Sequence, residues 1–261
     1  MRPSRARSAG SPTRLTKPAM PHIGSSRSFP RTAVAPDPLC QGIASGQAAC
    51  PSPRTSRSRP EPGFGRTNSR FNIGPSLWIS PGSSVPLSWE GPFTGHRFYR
   101  VSQFSDGLSQ TIGASERRQG DWTSGRYDRG GDDLLGDIDL QARSDDPDWA
   151  VSVCTGLSPR SVPHESRGGE TWFLSGLHCS NSNHGAPPNA TTDDCSVDPL
   201  NVDLHTRTLH SGVFAARSAH LGGVNTLAMD GSVRFARDSL ALPVWRALAT
   251  RAGGEAVSLD D

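Results

Sequence analysis

Apolar and polar residues alternate twice near the C-terminal end, in VNTLAM (residues 224–229) and in SVRFAR (residues 232–237), with Asp230-Gly231 between them. Alternation with a period of two predicts strands that bury one face, and Asp-Gly between two such runs predicts a tight antiparallel turn. A type I′ turn would put Asp230 and Gly231 at its two central positions, since both must take φ > 0. The period then changes. Leu240, Val244 and Leu248, with Ala241 and Trp245 beside them, recur at helical spacing. Asp238 or Ser239 is placed to cap that helix, Pro243 falls in its first turn, and Gly253-Gly254 ends it. Laying Val244, Trp245 and Leu248 on the hairpin gives an α+β fold, antiparallel and β-rich, with a short closing helix.

Upstream the pattern is weaker. Residues 72–95 read as turn-rich loop around Trp78 and Trp89. Residues 97–104 are aromatic and strand-prone, Ser105-Asp106-Gly107 breaks them, and LSQTIGASE follows with helical or extended character. Residues 117–147 are rich in Gly and Asp and read as an excursion from the core. WAVSVC (residues 149–154) predicts a buried strand and GETWFLSG (residues 169–176) another, followed by a polar, Pro/Asn-rich loop up to Cys195.

Composition divides the chain. Residues 1–70 hold twelve Arg or Lys against Asp37 and Glu61, a balance of +10, and residues 71–261 hold fifteen against twenty-three, a balance of −8. The first part has no apolar periodicity that could offset the entropy of ordering it, and reads as a disordered Arg/Ser/Pro-rich tail ahead of one globular domain, residues 71–261. A basic tail can bind phosphate backbones or serve as a transit leader. This one lacks amphipathic spacing, and nucleic acid is not an expected partner. No run of 18 apolar residues occurs, so no transmembrane segment is expected, and no secretory signal is present.

Candidate chemistry is sparse. GxSxG, a P-loop, GxGxxG after a strand and HExxH are all absent, and no cofactor is expected. His178, Cys179, His184 and Cys195 carry atoms zinc accepts, but HC-x4-H-x10-C matches no usual module, so these are expected to be surface-loop residues and not a metal site. Asp132, Asp133, Asp137 and Asp139 could attract calcium; DDLLGDIDL lacks the ordered calcium-loop pattern, and a solvated acidic loop is expected. Of five cysteines, Cys179 and Cys195 bracket a loop that a disulfide would close in an oxidising compartment. His220, ten residues before Asp230, is expected to hydrogen-bond neighbouring backbone and fix the entry of the first strand.

The stretch SAHLGGVNTLAMDGSVRFARDSLALPVWRALATRAGGE resembles the C-terminal H-x9-DG signature of the planctomycete-type prepilin-like family, domain of unknown function 1559. Its marks are His220, Gly222, Gly223, Asp230 and Gly231, then the helix at residues 245–248 and the Gly-Gly-Glu at residues 253–255. FSDGLSQTIGASE is similar to the family's DGxSNTxxxxE segment, with Gln110 in place of Asn, and GGETWFLSG, APPN and Cys195 to its W…G…PPN…C region. The resemblance covers roughly residues 80–261. It implies a pseudopilin-like head, a non-enzymatic envelope or surface protein related to type II secretion and type IV pilus components, with other such proteins as partners. Family members usually begin with an apolar prepilin helix, which residues 1–70 do not contain; a displaced start or a copy that has lost the helix is expected. The alternative is a metal-binding protein or metal-dependent enzyme using His178, His184 and Cys195.

Overall fold

The computed structural model describes residues 65–77, 87–94, 97–123, 125–136, 146–170, 172, 176–196, 211–255, 257 and 259. The tail expected over residues 1–70 lies outside them up to residue 64. Two sheets form the frame. The larger has the order β5-β1-β2-β8-β9, built from β1 (Ser69–Asn72), β2 (Ile112–Glu116), β5 (Asn181–Ser182), β8 (Gly223–Ala228) and β9 (Val233–Arg237). The smaller has the order β4-β3-β6-β7, from β3 (Asp133–Leu135), β4 (His164–Glu165), β6 (Cys195–Ser196) and β7 (Gly212–Val213). Pairing is antiparallel except for β1 with β5 and β3 with β6. Two helices, α1 (Pro147–Gly156) and α2 (Leu242–Ala247), complete a strand-rich α+β fold. No helix among the described residues is long and apolar enough to cross a membrane.

The hairpin forms as its alternation requires. Val224, Thr226 and Ala228 turn inward, and Val224 packs with Ile112, Ala236, Trp245 and Leu248 in a core under α2. The register is Leu227 opposite Val233, Asn225 opposite Phe235 and Gly223 opposite Arg237. The turn differs from the expected type I′. Gly231 N donates to Ala228 O and Ala228 N to Ser232 O, so Met229 and Asp230 take the central positions. Gly231, at φ +88°, is the left-handed residue after them, and Asp230 has no positive φ. This three-residue loop needs one left-handed residue where type I′ needs two, so an aspartate keeps ordinary backbone geometry. Its Oδ1 accepts from the Ser232 N and hydroxyl.

The closing helix is shorter than its apolar spacing suggests. Its cap position is Ala241 with no side-chain cap, and it ends at Ala247, well before Gly253-Gly254. Asp238 is drawn instead to the Asn189 amide at 2.8 Å. Trp245 and Leu248 are buried as expected and Val244 packs against them.

Three upstream expectations are corrected. Residues 149–154 are helical: Asp146 Oδ1 accepts from Trp149 N at 2.9 Å, Pro147 occupies the first turn, and Ala150 and Cys154, one turn apart, face the core. The Asp-Pro start signal outweighs the strand preference of Trp and Val. Residues 97–104 contain a single 3-10 turn (Val101–Gln103), with Phe98 and Val101 exposed. The described part of residues 117–147 is not an excursion, because β3 lies inside the smaller sheet with Leu134 fully buried. Of the strand expected over residues 169–176, positions 171 and 173–175 lie outside the described residues, and Trp172 is exposed.

The polar run between Cys179 and Cys195 is also interior. It contains β5, and its asparagines replace sheet pairing with side-chain bonds to backbone: Asn183 Nδ2 donates to Gly212 O and Ser76 O while its Oδ1 accepts from Phe214 N. Buried amides whose donors and acceptor are satisfied locally cost little and fix one arrangement.

Gly231 and Gly223 separate two demands on glycine. A Cβ at Gly231 meets nothing within 4 Å, so Gly231→Ala carries only left-handed backbone strain, about 1–2 kcal/mol. A Cβ at Gly223 would overlap the Ala236 carbonyl oxygen and the Phe235 ring, and there β8 and β9 must part. Urea unfolding is expected to rank Gly223→Ala as the more destabilising.

Candidate functional site

The base of the hairpin is where distant residues meet. Glu116, the last residue of β2, accepts from Asn225 N at 2.8 Å and from the Asn225 amide at 3.1 Å, and its Oε1 lies 3.3 Å from His220 Nε2. Burial pushes this carboxyl up; donors from Asn225 and Ser218 and the charge of His220 outweigh it and hold the group below its usual range. The carboxylate facing His220 is therefore Glu116, while Asp230 is held by Ser232 at the far end of the hairpin.

Asn189 grips the same place from the other side. With φ at +48°, it donates to Gly223 O at 3.3 Å and to Asp238 at 2.8 Å, and accepts from Ser218 N at 2.8 Å. Gly222, at φ +82°, turns the chain into β8, and its carbonyl accepts from Asp238 N. Asp106 does for the C-terminal turn what Glu116 does for the hairpin: it accepts from Gly253 N, Gly254 N and the Thr250 hydroxyl. Thus Glu116 of FSDGLSQTIGASE, Asn189 of APPN and His220 of SAHLGG close on the base of the hairpin, while Asp106 holds the C-terminal turn at the other end of β2, beside Thr111.

Behind it lies a buried ionic cluster. Asp194 receives Arg70 at 2.7 Å and Arg217 at 2.8 Å, all three nearly inaccessible to solvent. Arg70 also stands 3.8 Å from Asp133, whose other oxygen is 2.5 Å from His178 Nδ1. Arg117 donates to the carbonyls of His178 and Cys179, and burial together with the charge of Arg70 lowers it to about 9.

The residues considered as zinc ligands are separated by this arrangement. They are largely interior and not surface-loop residues. His184 is stacked on Trp245, 3.9 Å between ring centres, with Nδ1 on the Trp245 carbonyl. Cys195 is bridged to Cys154 and not to Cys179. Packing of α1 on the smaller sheet brings Cys154 to β6, with Cα atoms 5.7 Å apart, whereas Cys179 is buried beside the Arg117 carbonyl contacts. Among the described residues no three His, Cys, Asp or Glu side chains are grouped to hold a metal ion. Of the acidic run, Asp137 and Asp139 lie outside the described residues, and Asp132, just before β3, and Asp133, its first residue, are buried and not solvated.

Sequence reading missed Arg70, Arg117, Asp194 and Arg217. Nothing in a basic tail or a TTDD loop marks a residue destined for burial. Glu116 and Asn189 were legible only as letters of the family segments.

Two buried groups give opposite pH responses. Burial, with Asp121, Asp133 and Asp128 nearby, raises Asp132 to about 7. Relative to an unfolded aspartate near 3.9, the folded state gains protons as pH falls from 7 towards 4, which stabilises it. Burial lowers His184 to about 4 against an ordinary value of 6.5, so acidification from 6.5 towards 4 destabilises the fold. The two effects oppose one another over that window. Asp132→Asn removes the first, and its urea midpoint is expected to fall on acidification from 6.5 to 4 more steeply than that of the unaltered chain.

The comparisons agree with the motifs. The model of a family described as protein of unknown function (DUF1559) matches residues 41–242, beginning within the segment read as tail. No curated protein matches the chain, and no solved structure does. Since that match spans well over half of the sequence and contains the whole H-x9-DG hairpin, the chain belongs to the DUF1559 family.

Proposed function

We propose that this chain is a non-catalytic, pseudopilin-like module of the cell envelope or surface that acts by assembling with other envelope proteins. The observation that carries the reading is the use made of the family residues. Glu116, Asn189 and Asp106 are engaged with backbone groups at the two ends of a sheet, and His220 with Glu116. A carboxylate on one imidazole nitrogen can orient a catalytic histidine or serve the fold, and what else that carboxylate holds favours one role over the other. Here the Nε2 of His220 meets a carboxylate that is itself organising β8.

The Cys154–Cys195 bridge supports an envelope location, because disulfides between buried cysteines form and persist in oxidising compartments and are rare in reducing ones. The His178, His184 and Cys195 ligand set of the metal alternative has no support in a geometry that commits Cys195 to the bridge and His184 to Trp245.

Alkylation of native cells followed by peptide mapping tests the location. Residues 154 and 195 are expected to be protected until reduction; both alkylated without reductant in the mature chain would exclude an oxidising compartment. Reduction is expected to lower stability by about 2–4 kcal/mol, as for a loop of this length. His220→Ala tests the role. It should cost about 1 kcal/mol of stability and leave captured envelope partners unchanged. Loss of a hydrolytic or other activity in this variant, still folded by circular dichroism, would overturn the non-catalytic reading.

A further inference from the structure

We propose that the open edge of β9 pairs with the same edge of a second copy of this chain, antiparallel about Phe235, joining two five-stranded sheets into one. β9 is the last strand of the larger sheet. At the two ends of its ladder with β8, Ala228 N donates to Ser232 O and Asp238 N donates to Gly222 O. Arg234 and Ala236 therefore bond to β8, and the backbone groups of Val233, Phe235 and Arg237 point out of the sheet. Among the described residues no strand pairs with that edge.

Sheet edges are ordinarily blunted by bulges, prolines, a short strand or charged side chains, and of these β9 has only the last, Arg234 and Arg237. Its register against β8 is unbroken over five pairs, and Val233 and Phe235 are 52 % and 44 % exposed. The same face continues inward. Phe71 is opposite Ala114, Ala114 opposite Leu227 and Leu227 opposite Val233, an apolar row across four strands that ends at the open edge.

The edge is complementary to itself. Centring on Phe235 is the register that pairs all five residues of β9 with all five of the second copy. It sets Phe235 opposite the partner's Phe235, Val233 opposite the partner's Arg237 and Arg234 opposite the partner's Ala236, so no arginine directly faces an arginine. The two diagonal neighbours of Arg234 are the partner's Arg234 and the partner's Asp238, whose carboxylate offsets the like charge. Arg237 lies diagonal to the partner's Phe235, where a guanidinium over an aromatic ring is favourable. The opposite edge of the sheet, β5, is two residues long with both side chains buried, and offers no comparable template. The contact is therefore isologous and closes as a dimer.

Sedimentation velocity of the full chain across the micromolar range is expected to show a concentration-dependent species of twice the chain mass. Phe235→Lys, which places two ammonium groups face to face at the centre, is expected to weaken it about 30-fold or more without shifting the melting transition. In a background with Cys40 and Cys50 replaced by serine, Phe235→Cys is expected to oxidise to a covalent dimer, because hydrogen-bonded opposed residues have Cα atoms about 5.5 Å apart. Leu221→Cys, at a position 98 % exposed but off the strand, is expected not to. A chain monomeric throughout the range overturns the proposal and leaves the edge to solvent or to a strand of another protein. So does association unchanged by Phe235→Lys, or cross-linking at 221 as fast as at 235. If Phe235→Lys does not fold, the two cysteine variants decide alone.

Discussion

The carboxylate of Asp194 holds the architecture together. Arg70 reaches it from β1 in the larger sheet, Arg217 from the segment leading to β8, and Ala215 N completes the set, while Asp194 itself precedes β6 of the smaller sheet. Burial alone would keep this group protonated; two guanidinium groups hold it ionised, well below its ordinary pKa. Taking such charges from water costs several kcal/mol per ion, which the attraction offsets only when geometry is good and the remaining donors are satisfied. Here they largely are: Arg70 also donates to Ala215 O, and Arg217 to Ala190 O and Thr192 O. An apolar packing of the two sheets could be equally stable. The ionic one is directional, and it admits a single relative placement of β1, β6 and the chain that enters β8.

Polar interiors recur around this clamp. Asn72 bridges Ile112 O and Ala249 O, Asn183 joins Gly212 to Phe214, and Arg246 ties α2 to Asp148 of α1 and to Gly185. The apolar core is correspondingly divided into clusters, one under α1 around Leu134 and Cys154, one under α2 around Trp245. With an apolar share of 33 %, specificity in this fold rests on hydrogen-bond networks to an unusual degree.

This balance explains what the sequence disclosed. The hairpin was legible because β8 buries one face and leaves the other half-open, so its pattern has a period. Trp245 and Leu248 were legible for the same reason. The smaller sheet, made of strands of two or three residues, has no length over which a period can appear, and WAVSVC misled because its Trp and Val suit either structure until Asp146-Pro147 is weighed. The site divided likewise. Glycines and the Asp-Gly turn announce their backbone roles locally, whereas the partner of His220 lies 104 residues away and that of Cys195 lies 41 away, brought together by tertiary packing alone.

The position of β1 has a consequence for synthesis. The first described strand is an interior strand, flanked by β2 and β5, and its Arg70 is satisfied by residues 194 and 215. A ribosome delivers those partners only after most of the chain has emerged. Until then β1 can pair with β2 on one edge, but its other edge and the main counter-charge of Arg70 are missing, so the larger sheet is completed only late. The ionic clamp that fixes the two sheets against each other therefore closes last, after the early strands have already met.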